Sequence, residues 1–204
     1  MARPGRSTRV RRDGASAGEH TRRALIESAI DALREEGFGG ASARAIAARA
    51  GCNQGLVFYH FGSVANLLLA ALDEVSARRL REYQQAVEDV TSMESLVHVA
   101  SRIFQEDLDK GYVTVLTEMI SGASSTPGLG PEVAKRIKPW QSFTKAAVTR
   151  ALGDTGLSTD SVANAIVALY LGLELLAHLD GNRKPAAALF EQAAALAPLL
   201  GALK

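Results

Sequence analysis

The chain is poor in cysteine and in long apolar runs. Cys52 is the single cysteine among 204 residues, so an internal disulfide is excluded and no second thiol is present for a zinc or iron–sulfur site. No run approaches the roughly 18 uninterrupted apolar residues of a membrane-spanning helix, and the first residues lack the apolar stretch of a secretory signal. We therefore expect a cytoplasmic protein without a membrane partner.

Sequence signals for cofactor chemistry are also missing. The four histidines are scattered at positions 20, 60, 98 and 178, and no Gly-rich phosphate loop or metal-ligating cluster occurs. We expect no cofactor and no metal. Enzyme activity would have to use Cys52 and His60 as nucleophile and base, and no orienting acid lies near them in the sequence. A small packed residue is the alternative reading of Cys52, and we expect no enzyme.

The net charge of +1 hides an uneven distribution. Residues 1–66 contain ten arginines and six acidic residues, a balance of +4, whereas residues 67–204 have a balance of −3. Attraction to phosphate is the sequence-independent part of nucleic-acid binding, so this pattern favours a polyanion partner for the first third of the chain. A solvated charge imbalance without function is the alternative.

Helical periodicity runs through nearly the whole sequence, and the alternating patterns and hairpin signals of strands are missing. Gly37 and Gly62 are placed to end the first and third helices. Ser42, Asn53 and Ser63 are placed to cap the second, third and fourth. We predict an all-α fold of about nine helices, at residues 19–36, 43–50, 54–61, 64–90, 93–109, 112–123, 132–152, 160–180 and 186–200.

Two interruptions stand out in the second half. Residues 121–131 are rich in glycine, proline and serine and predict a loop. The two readings of this loop are the border of a ligand entrance and an ordinary surface loop. Pro139 should bend the helix that follows this loop or mark its true start.

Aromatic residues make up only 5% of the chain, yet Phe58, Tyr59, His60 and Phe61 are consecutive. They lie in the second of two short helices joined by a turn containing Gly51, and such a helix-turn-helix unit places its second helix in the DNA major groove. Helical spacing puts Val57 and Phe61 on one face.

The inner face of this helix is expected to pack on the first helix, through Ile26, Ile30 and Leu33. For Phe58, packing inside the small domain is likewise the expected role. The remaining side chains, Gln54, Leu56, Tyr59 and His60, cannot all be core.

The outer side chains have the chemistry that DNA contact requires. Gln54 is suited to bidentate contact with adenine, and Leu56 can meet a thymine methyl group. The Tyr59 hydroxyl and the His60 ring N–H can donate to phosphate oxygens. Gly55 would let the backbone approach the duplex closely.

Residues 19–66 resemble the DNA-binding domain of the tetracycline-repressor (TetR) family of bacterial transcription regulators. The resemblance rests on Gly37-Phe38, on Ser42 with Ala43-Arg44-Ala45-Ile46-Ala47, on Ala50-Gly51 and on Gly55-Leu56-Val57-Phe58-Tyr59-His60-Phe61-Gly62-Ser63. It implies DNA contacts from Ser42, Arg44, Asn53, Gln54, Gly55, Tyr59 and His60.

The sequence departs from the family pattern at two positions. Val64 occupies the place of a usual phosphate-binding lysine, and Phe58 that of a frequent tyrosine. Compensating contacts are expected from arginines in a flexible basic arm, residues 1–18, namely Arg3, Arg6, Arg9, Arg11 and Arg12. The alternative is a helical protein-interaction module whose DNA-binding head is degenerate.

Residues 67–204 are expected to form a larger ligand-binding and dimerisation domain. A helix-turn-helix protein usually reads two half-sites as a dimer, and the last two helices are apolar enough to provide the interface, although burial inside their own domain would explain this too. The resemblance also implies a cavity for a small hydrophobic inducer. Candidate lining residues are Phe104, Tyr112, Met119, Trp140 and Phe143, with His98 or Glu118 as a polar anchor, although each is also readable as plain core.

The resulting hypothesis is a homodimeric transcriptional regulator that represses by occupying operator DNA and is released by its ligand.

Overall fold

The fold is all-α in the parts of the chain that the structure describes. The computed structural model describes the backbone of residues 7–152 and 158–201 and the side chains of residues 17–151, 158–179 and 181–198. Within these ranges there are nine helices and no strand, as predicted. They are α1 (Ser7–Gly40), α2 (Ala43–Arg49), α3 (Gly55–Phe61), α4 (Val64–Ala86), α5 (Met93–Lys110), α6 (Tyr112–Ala123), α7 (Leu129–Leu152), α8 (Thr159–Asp180) and α9 (Lys184–Gly201).

The chain divides into two compact units, Met1–Glu74 and Val75–Lys204. The predicted division lay at residue 66, and the first unit extends further because it includes the first turns of α4. The last turns of the same helix belong to the second unit. The two units are therefore joined within a helix rather than by a loop.

Helix α1 differs from its prediction at the first end. We predicted a start at residue 19 after a flexible arm, and the structure begins the helix at Ser7. Arginines and alanines there are good helix formers. The predicted stop is present, because Gly37 leaves helical geometry with φ 73° and ψ −178°, a region that suits glycine. Arg3 and Arg6 lie outside the described residues, as do the side chains of Arg9, Arg11 and Arg12.

The core of the first unit forms between α1, α2, α3 and the start of α4. The predicted inward residues Ile26, Ile30 and Leu33 of α1 are buried, as are Ile46 of α2 and Val57 of α3. This packing fixes which face of α3 points inward, and it therefore also fixes the face that is exposed.

In the second unit α5 packs on α9 and α7 packs on α8, and α5 also contacts α7 and α8. Pro139 lies inside α7, which runs from Leu129 without ending there, so Pro139 is not the start of this helix. Buried Val87, Val90 and Ala151 form a cluster against which Phe143 packs.

Helix α8 presents apolar side chains on its outer surface. Leu169, Leu176 and Leu179 are 52%, 62% and 72% exposed, while Ala163, Glu174 and Ala177 are buried on the opposite side. The helix Thr159–Leu179 is long and apolar enough to cross a membrane by length and composition alone. The core helix of a soluble protein can meet the same criteria. Exposed apolar surface of this kind is typical of a surface that contacts another molecule.

Candidate functional site

The turn between α2 and α3 is built by side-chain caps and one glycine. Ser42 caps α2, since its Oγ accepts a hydrogen bond from the Ala45 N–H at 3.2 Å. Gly51 has a φ of 64°, which turns the chain after α2. Asn53 Oδ1 then accepts from the Gly55 N–H at 2.7 Å and starts α3, as its predicted capping role requires.

Gly55 has a local reason to be glycine. A Cβ at this position would lie 3.2 Å from Asn53 Oδ1, the atom that accepts the Gly55 hydrogen bond. A side chain there would push on the turn itself. Close approach to DNA is the role predicted for Gly55. The contact with Asn53 Oδ1 is a second reason, within the protein itself, for glycine at this position.

Helix α3 has a buried face and an exposed one. Val57 is fully buried and Phe61 is 9% exposed, as predicted. Phe58 was expected to be core, and this was wrong, because its side chain is 47% exposed. It lies one residue from Val57, which turns it by about 100° around the helix axis and away from the buried face of α3. Tyr59 is 80% exposed.

The predicted DNA-contacting residues lie on one stretch of surface around the turn. Leu56 and His60 are half-buried, and the His60 ring meets the Tyr59 ring edge to face at 5.0 Å between centroids. The other six are exposed, namely Ser42, Arg44, Asn53, Gln54, Gly55 and Tyr59. Exposed amide, hydroxyl and guanidinium groups next to a turn form a surface that can hydrogen-bond to base edges and phosphates.

The two arginines of α2 differ in their surroundings. Arg49 forms ion pairs with Glu35 at 2.7 Å and with Glu36 at 2.5 Å, both on α1. These carboxylates hold the pKa of Arg49 above its usual value, with Glu36 the stronger cause. Arg44 is exposed at the other end of the helix. Arg44 is thus the α2 cation whose charge can be directed to a ligand.

The start of α4 is capped by Ser63, whose Oγ accepts from the Asn66 N–H at 3.1 Å. Asn66 Nδ2 donates to the Phe61 carbonyl at 2.9 Å and ties the end of α3 to α4. Val64, at the position of the expected lysine, is half-buried. No charge is therefore supplied by this position.

Cys52 has the environment of a packed thiol. Its side chain is half-buried, and burial raises the pKa of the thiol above its usual value of 9.0. A nucleophilic cysteine needs a lowered pKa, so the environment of Cys52 favours the structural reading over the catalytic one.

The second unit contains a buried polar cluster that the sequence analysis did not predict. Arg79 and Asp107 are each 1% exposed and form an ion pair. Oδ2 of Asp107 also accepts hydrogen bonds from the hydroxyls of Tyr83 and Tyr170. The cluster thus joins α4, α5 and α8 by polar contacts inside an apolar core.

Aromatic rings surround this cluster, and four of the five predicted ligand-pocket residues are among them. Tyr83 meets Trp140 with ring centroids 5.3 Å apart and Phe143 at 5.9 Å. Phe104 meets Tyr170 at 5.4 Å, and the Tyr112 ring centroid lies 4.5 Å from Cζ of Arg79. The fifth, Met119, is fully buried. Phe104, Trp140 and Phe143 are therefore connected through the two tyrosines of the cluster.

Glu174 adds a second acid on α8. It is 4% exposed, and its Oε1 has no hydrogen-bond partner among the described residues. Burial, and to a lesser degree the Asp107 charge, raise the pKa of Glu174 to about 8, against the opposing effects of Arg183, Arg79 and Tyr170. Burial likewise raises the pKa of Asp107 to about 6, against the effects of Tyr170, Arg79 and Lys110.

The two predicted polar anchors of the pocket, His98 and Glu118, differ in burial. His98 is exposed, and its Nδ1 lies 2.8 Å from the Glu94 carbonyl one turn earlier. Glu118 is half-buried. The missed anchors had a sequence signal, because Arg79, Asp107 and Glu174 are charged residues at core positions of otherwise apolar helix faces.

An open groove of about 820 Å³ lies between α7 and the start of α8. Most of the residues that line it are polar or charged, including Lys145, Arg150 and Asp160. Lys145 pairs with Asp160 at 2.7 Å, and Arg150 donates to the Val87 carbonyl at 3.0 Å, so these cations already have partners. None of the predicted ligand-pocket residues lines this groove.

The fold and the exposed surface around the α2–α3 turn define a helix-turn-helix protein. Residues 25–71 match the family described as bacterial regulatory proteins, tetR family. The resemblance to this family that the sequence predicted is thus confirmed over residues 25–71. The matched residues include the whole of α2 and α3 and the start of α4.

Curated relatives match part of the chain. A helix-turn-helix transcriptional repressor of Mycobacterium tuberculosis is 38% identical over 71 residues, which are 35% of this chain and 38% of that protein. A transcriptional regulator of Mycobacterium bovis is 29% identical over 105 residues, or 52% of this chain and 54% of that protein. The matches thus span about half or less of those relatives.

Solved structures share the fold over most of the chain. The fatty acid degradation regulator FadR of Bacillus halodurans has a TM-score of 0.71 at 17% identity, covering 90% of this chain and 96% of that one. FadR of Bacillus subtilis in complex with stearoyl-CoA has a TM-score of 0.70 at 15% identity, covering 85% and 95%. At this identity the likeness is one of fold.

Proposed function

We propose that the protein binds double-stranded operator DNA through α2, α3 and the turn between them. The observation that carries this proposal is the split of α3 into a buried face, with Val57, and an exposed face, with Tyr59 80% exposed. Gln54 reads a base edge, and Arg44 and Tyr59 contact phosphates. The Ser42 hydroxyl donates its hydrogen to the DNA backbone while its oxygen caps α2. Asn53, Leu56 and His60 complete the contact surface, with Gly55 holding the turn.

The protein acts as a homodimer through α8 and α9. The exposed leucines of α8 and Leu196 of α9, 56% exposed, are the surface that a second copy would cover. A two-fold axis through this interface presents two copies of α3, which is how helix-turn-helix proteins read paired half-sites. Covering this face also explains why α8 is apolar enough to pass for a membrane span, and it leaves the protein in the cytoplasm.

Occupation of the operator represses transcription, and a small ligand releases the protein. The name of the M. tuberculosis relative supports repression, and the B. subtilis FadR complex supports a ligand site in this fold. Phe104, Met119, Trp140 and Phe143 line that site next to the Arg79–Asp107 pair. Since Arg79 and Tyr83 belong to α4, which continues from the first unit, a ligand that disturbs their bonds changes the helix that carries the DNA-binding unit.

Selection of bound sequences from random duplex DNA tests the first step. We expect one enriched inverted repeat, bound by the purified protein with an affinity that falls steeply as salt rises. A matched duplex with scrambled half-sites is the control. Failure to enrich any sequence would instead support the alternative of a helical interaction module with a degenerate head.

A further inference from the structure

The buried cluster of Arg79, Asp107 and Glu174 has more negative than positive groups. Arg79 forms ion pairs with Asp107 and with Glu82, which is half-exposed. Glu174 has no ion pair of its own among the described residues, and its Oε1 accepts no hydrogen bond there. Two buried carboxyl groups therefore share one buried guanidinium.

A buried polar atom without a partner is costly, and natural proteins rarely keep one without a reason. If Glu174 is protonated and neutral, the electrostatic cost of burying it is lower, but Oε1 still has no hydrogen-bond partner among the described residues. A ligand that brings a positive N–H group removes both problems, because it satisfies Oε1 and balances the second carboxylate. An anionic ligand would add a third negative group beside Asp107 and Glu174.

The surroundings fit the remainder of such a ligand. Arg79 already lies over the rings of Tyr83 and Tyr112, at 4.7 and 4.5 Å from their centroids, so these rings face a cation in the protein itself. Trp140 lies against Tyr83 and Phe104 lies against Tyr170, so these two residues extend the aromatic surface. Aromatic faces favour an organic cation with an apolar body.

We propose that the ligand recognised by this regulator is a hydrophobic amine, whose ammonium group binds Glu174 Oε1 while its apolar part lies against the aromatic residues around Tyr83 and Tyr170. The proposal rests on the proposed function only in taking this region as the ligand site. It differs from the chemistry of the stearoyl-CoA complex formed by the B. subtilis protein of the same fold, because acyl-CoA is an anion.

Three probes with the same body and different head groups test this assignment: phenylbutylamine, phenylbutanol and phenylbutyrate. Trp140 is the single tryptophan and lies 5.3 Å from the Tyr83 ring, so its fluorescence reports on this region alone. We expect saturable binding of the amine at least about tenfold tighter than that of the alcohol, and weaker binding of the carboxylate. Equal affinities, tighter carboxylate binding, or no binding by any probe would overturn the proposal.

The variant Glu174→Gln keeps the shape of the side chain and removes its charge. It should lose the preference for the amine over the alcohol, whereas Glu191→Gln, at an exposed position of α9, should keep it. If Glu174→Gln keeps the full preference for the amine over the alcohol, the assignment of Glu174 as the ammonium-binding residue is also contradicted. If this variant does not fold, the order of the three probes on the unmodified protein still decides.

Calorimetry supplies a readout that a purely structural Glu174 would not give. Because burial holds the pKa of Glu174 at about 8, the side chain is mostly protonated near neutral pH, and binding an ammonium group must release up to one proton. The binding enthalpy of the amine should therefore vary with the ionisation enthalpy of the buffer, and that of the alcohol should not. No DNA is present, so failure here leaves the DNA-binding proposal untouched, and failure to bind DNA leaves this site untouched.

Discussion

The hydroxyl oxygens of Tyr83 and Tyr170 lie 3.0 Å apart, although the two residues are 87 positions apart in the sequence. Both hydroxyls donate to Oδ2 of Asp107, and Oδ1 of the same carboxylate pairs with Arg79. Helices α4, α5 and α8 are thus held together by a polar junction. Because each group satisfies another in a dry environment, loss of one member leaves the others without partners.

The first prediction concerns this junction. Asp107→Asn should lower the free energy of unfolding by about 3 to 5 kcal/mol, because Arg79 then loses its buried counter-charge and keeps only the half-exposed Glu82 as an ion-pair partner. Tyr170→Phe removes one hydroxyl and should cost only about 1 to 2 kcal/mol. Urea unfolding followed by circular dichroism measures both.

Asp89→Asn is the matched control for the junction, since Asp89 is exposed. It should change the free energy of unfolding by less than about 0.5 kcal/mol. Similar losses for Asp89→Asn and Asp107→Asn would contradict a special role for the buried pair.

Periodicity predicted most of the fold because helix boundaries here are set locally. Both ends of α6 agree with the prediction, and Gly111, with a φ of 63°, separates it from α5 as a glycine can. The start of α1 was missed, since propensity alone had to decide it. The buried positions of α3, Val57 and Phe61, were predicted correctly because their spacing of four residues places them on one face of the helix.

The parts that could not be predicted depend on tertiary position. Phe58 is exposed because the buried face of α3 does not extend around the helix as far as its position. The polar junction was missed because its members come from separate helices, so that no single helix shows which charged residue pairs with which. Glu174 was the strongest available signal, as an acid within the apolar stretch 166–178.

The pH dependence of stability follows from the two buried acids. Burial raises the pKa of Glu174 from 4.5 to about 8 and that of Asp107 from 3.8 to about 6. The folded state therefore binds more protons than the unfolded state between these values. The resulting stability is fully present below the unfolded pKa values and is lost as pH rises through the folded ones.

The free energy of unfolding should accordingly fall as the pH rises from about 4.5 to about 8, by at most about 1.4 kcal/mol per pH unit for each acid. Denaturant titrations at several pH values measure this slope. Glu174→Gln should flatten it above about pH 6, whereas exposed Glu88→Gln should not. An unchanged slope in Glu174→Gln would show that another group is responsible.

Arg44 and Arg49 form a matched pair of arginines on α2. Arg44→Gln should weaken binding to all duplexes and lower the slope of log affinity against log salt by about 1, because one phosphate contact is lost. Arg49 is engaged by Glu35 and Glu36, so Arg49→Gln should leave the slope unchanged. Fluorescence anisotropy at several salt concentrations measures both. The reverse order would place the phosphate contact at Arg49.

Gln54 is predicted to read a base, whereas Tyr59 is predicted to position the helix. Gln54→Ala should relax preference at one base pair of the selected site, with a loss of about 1 to 3 kcal/mol on that site and little on random DNA. Tyr59→Phe should weaken binding evenly on both. Competition between the selected duplex and single-base variants measures the difference. Equal losses on specific and random DNA for Gln54→Ala would remove its base-reading role.

The outer face of α8 supplies the last prediction, which concerns the dimer. Leu176 is 62% exposed in the single chain, and a charge there would be buried without a partner if two copies met on this face. Leu176→Glu should therefore convert the protein to a monomer in sedimentation velocity and abolish binding to a duplex with two half-sites. Ile120→Glu is the control, because Ile120 is 45% exposed on α6 and lies outside the proposed interface. A dimeric Leu176→Glu protein, or a monomeric Ile120→Glu protein, would move the interface away from α8. Retained helical circular dichroism in both variants makes the comparison one of assembly rather than of folding.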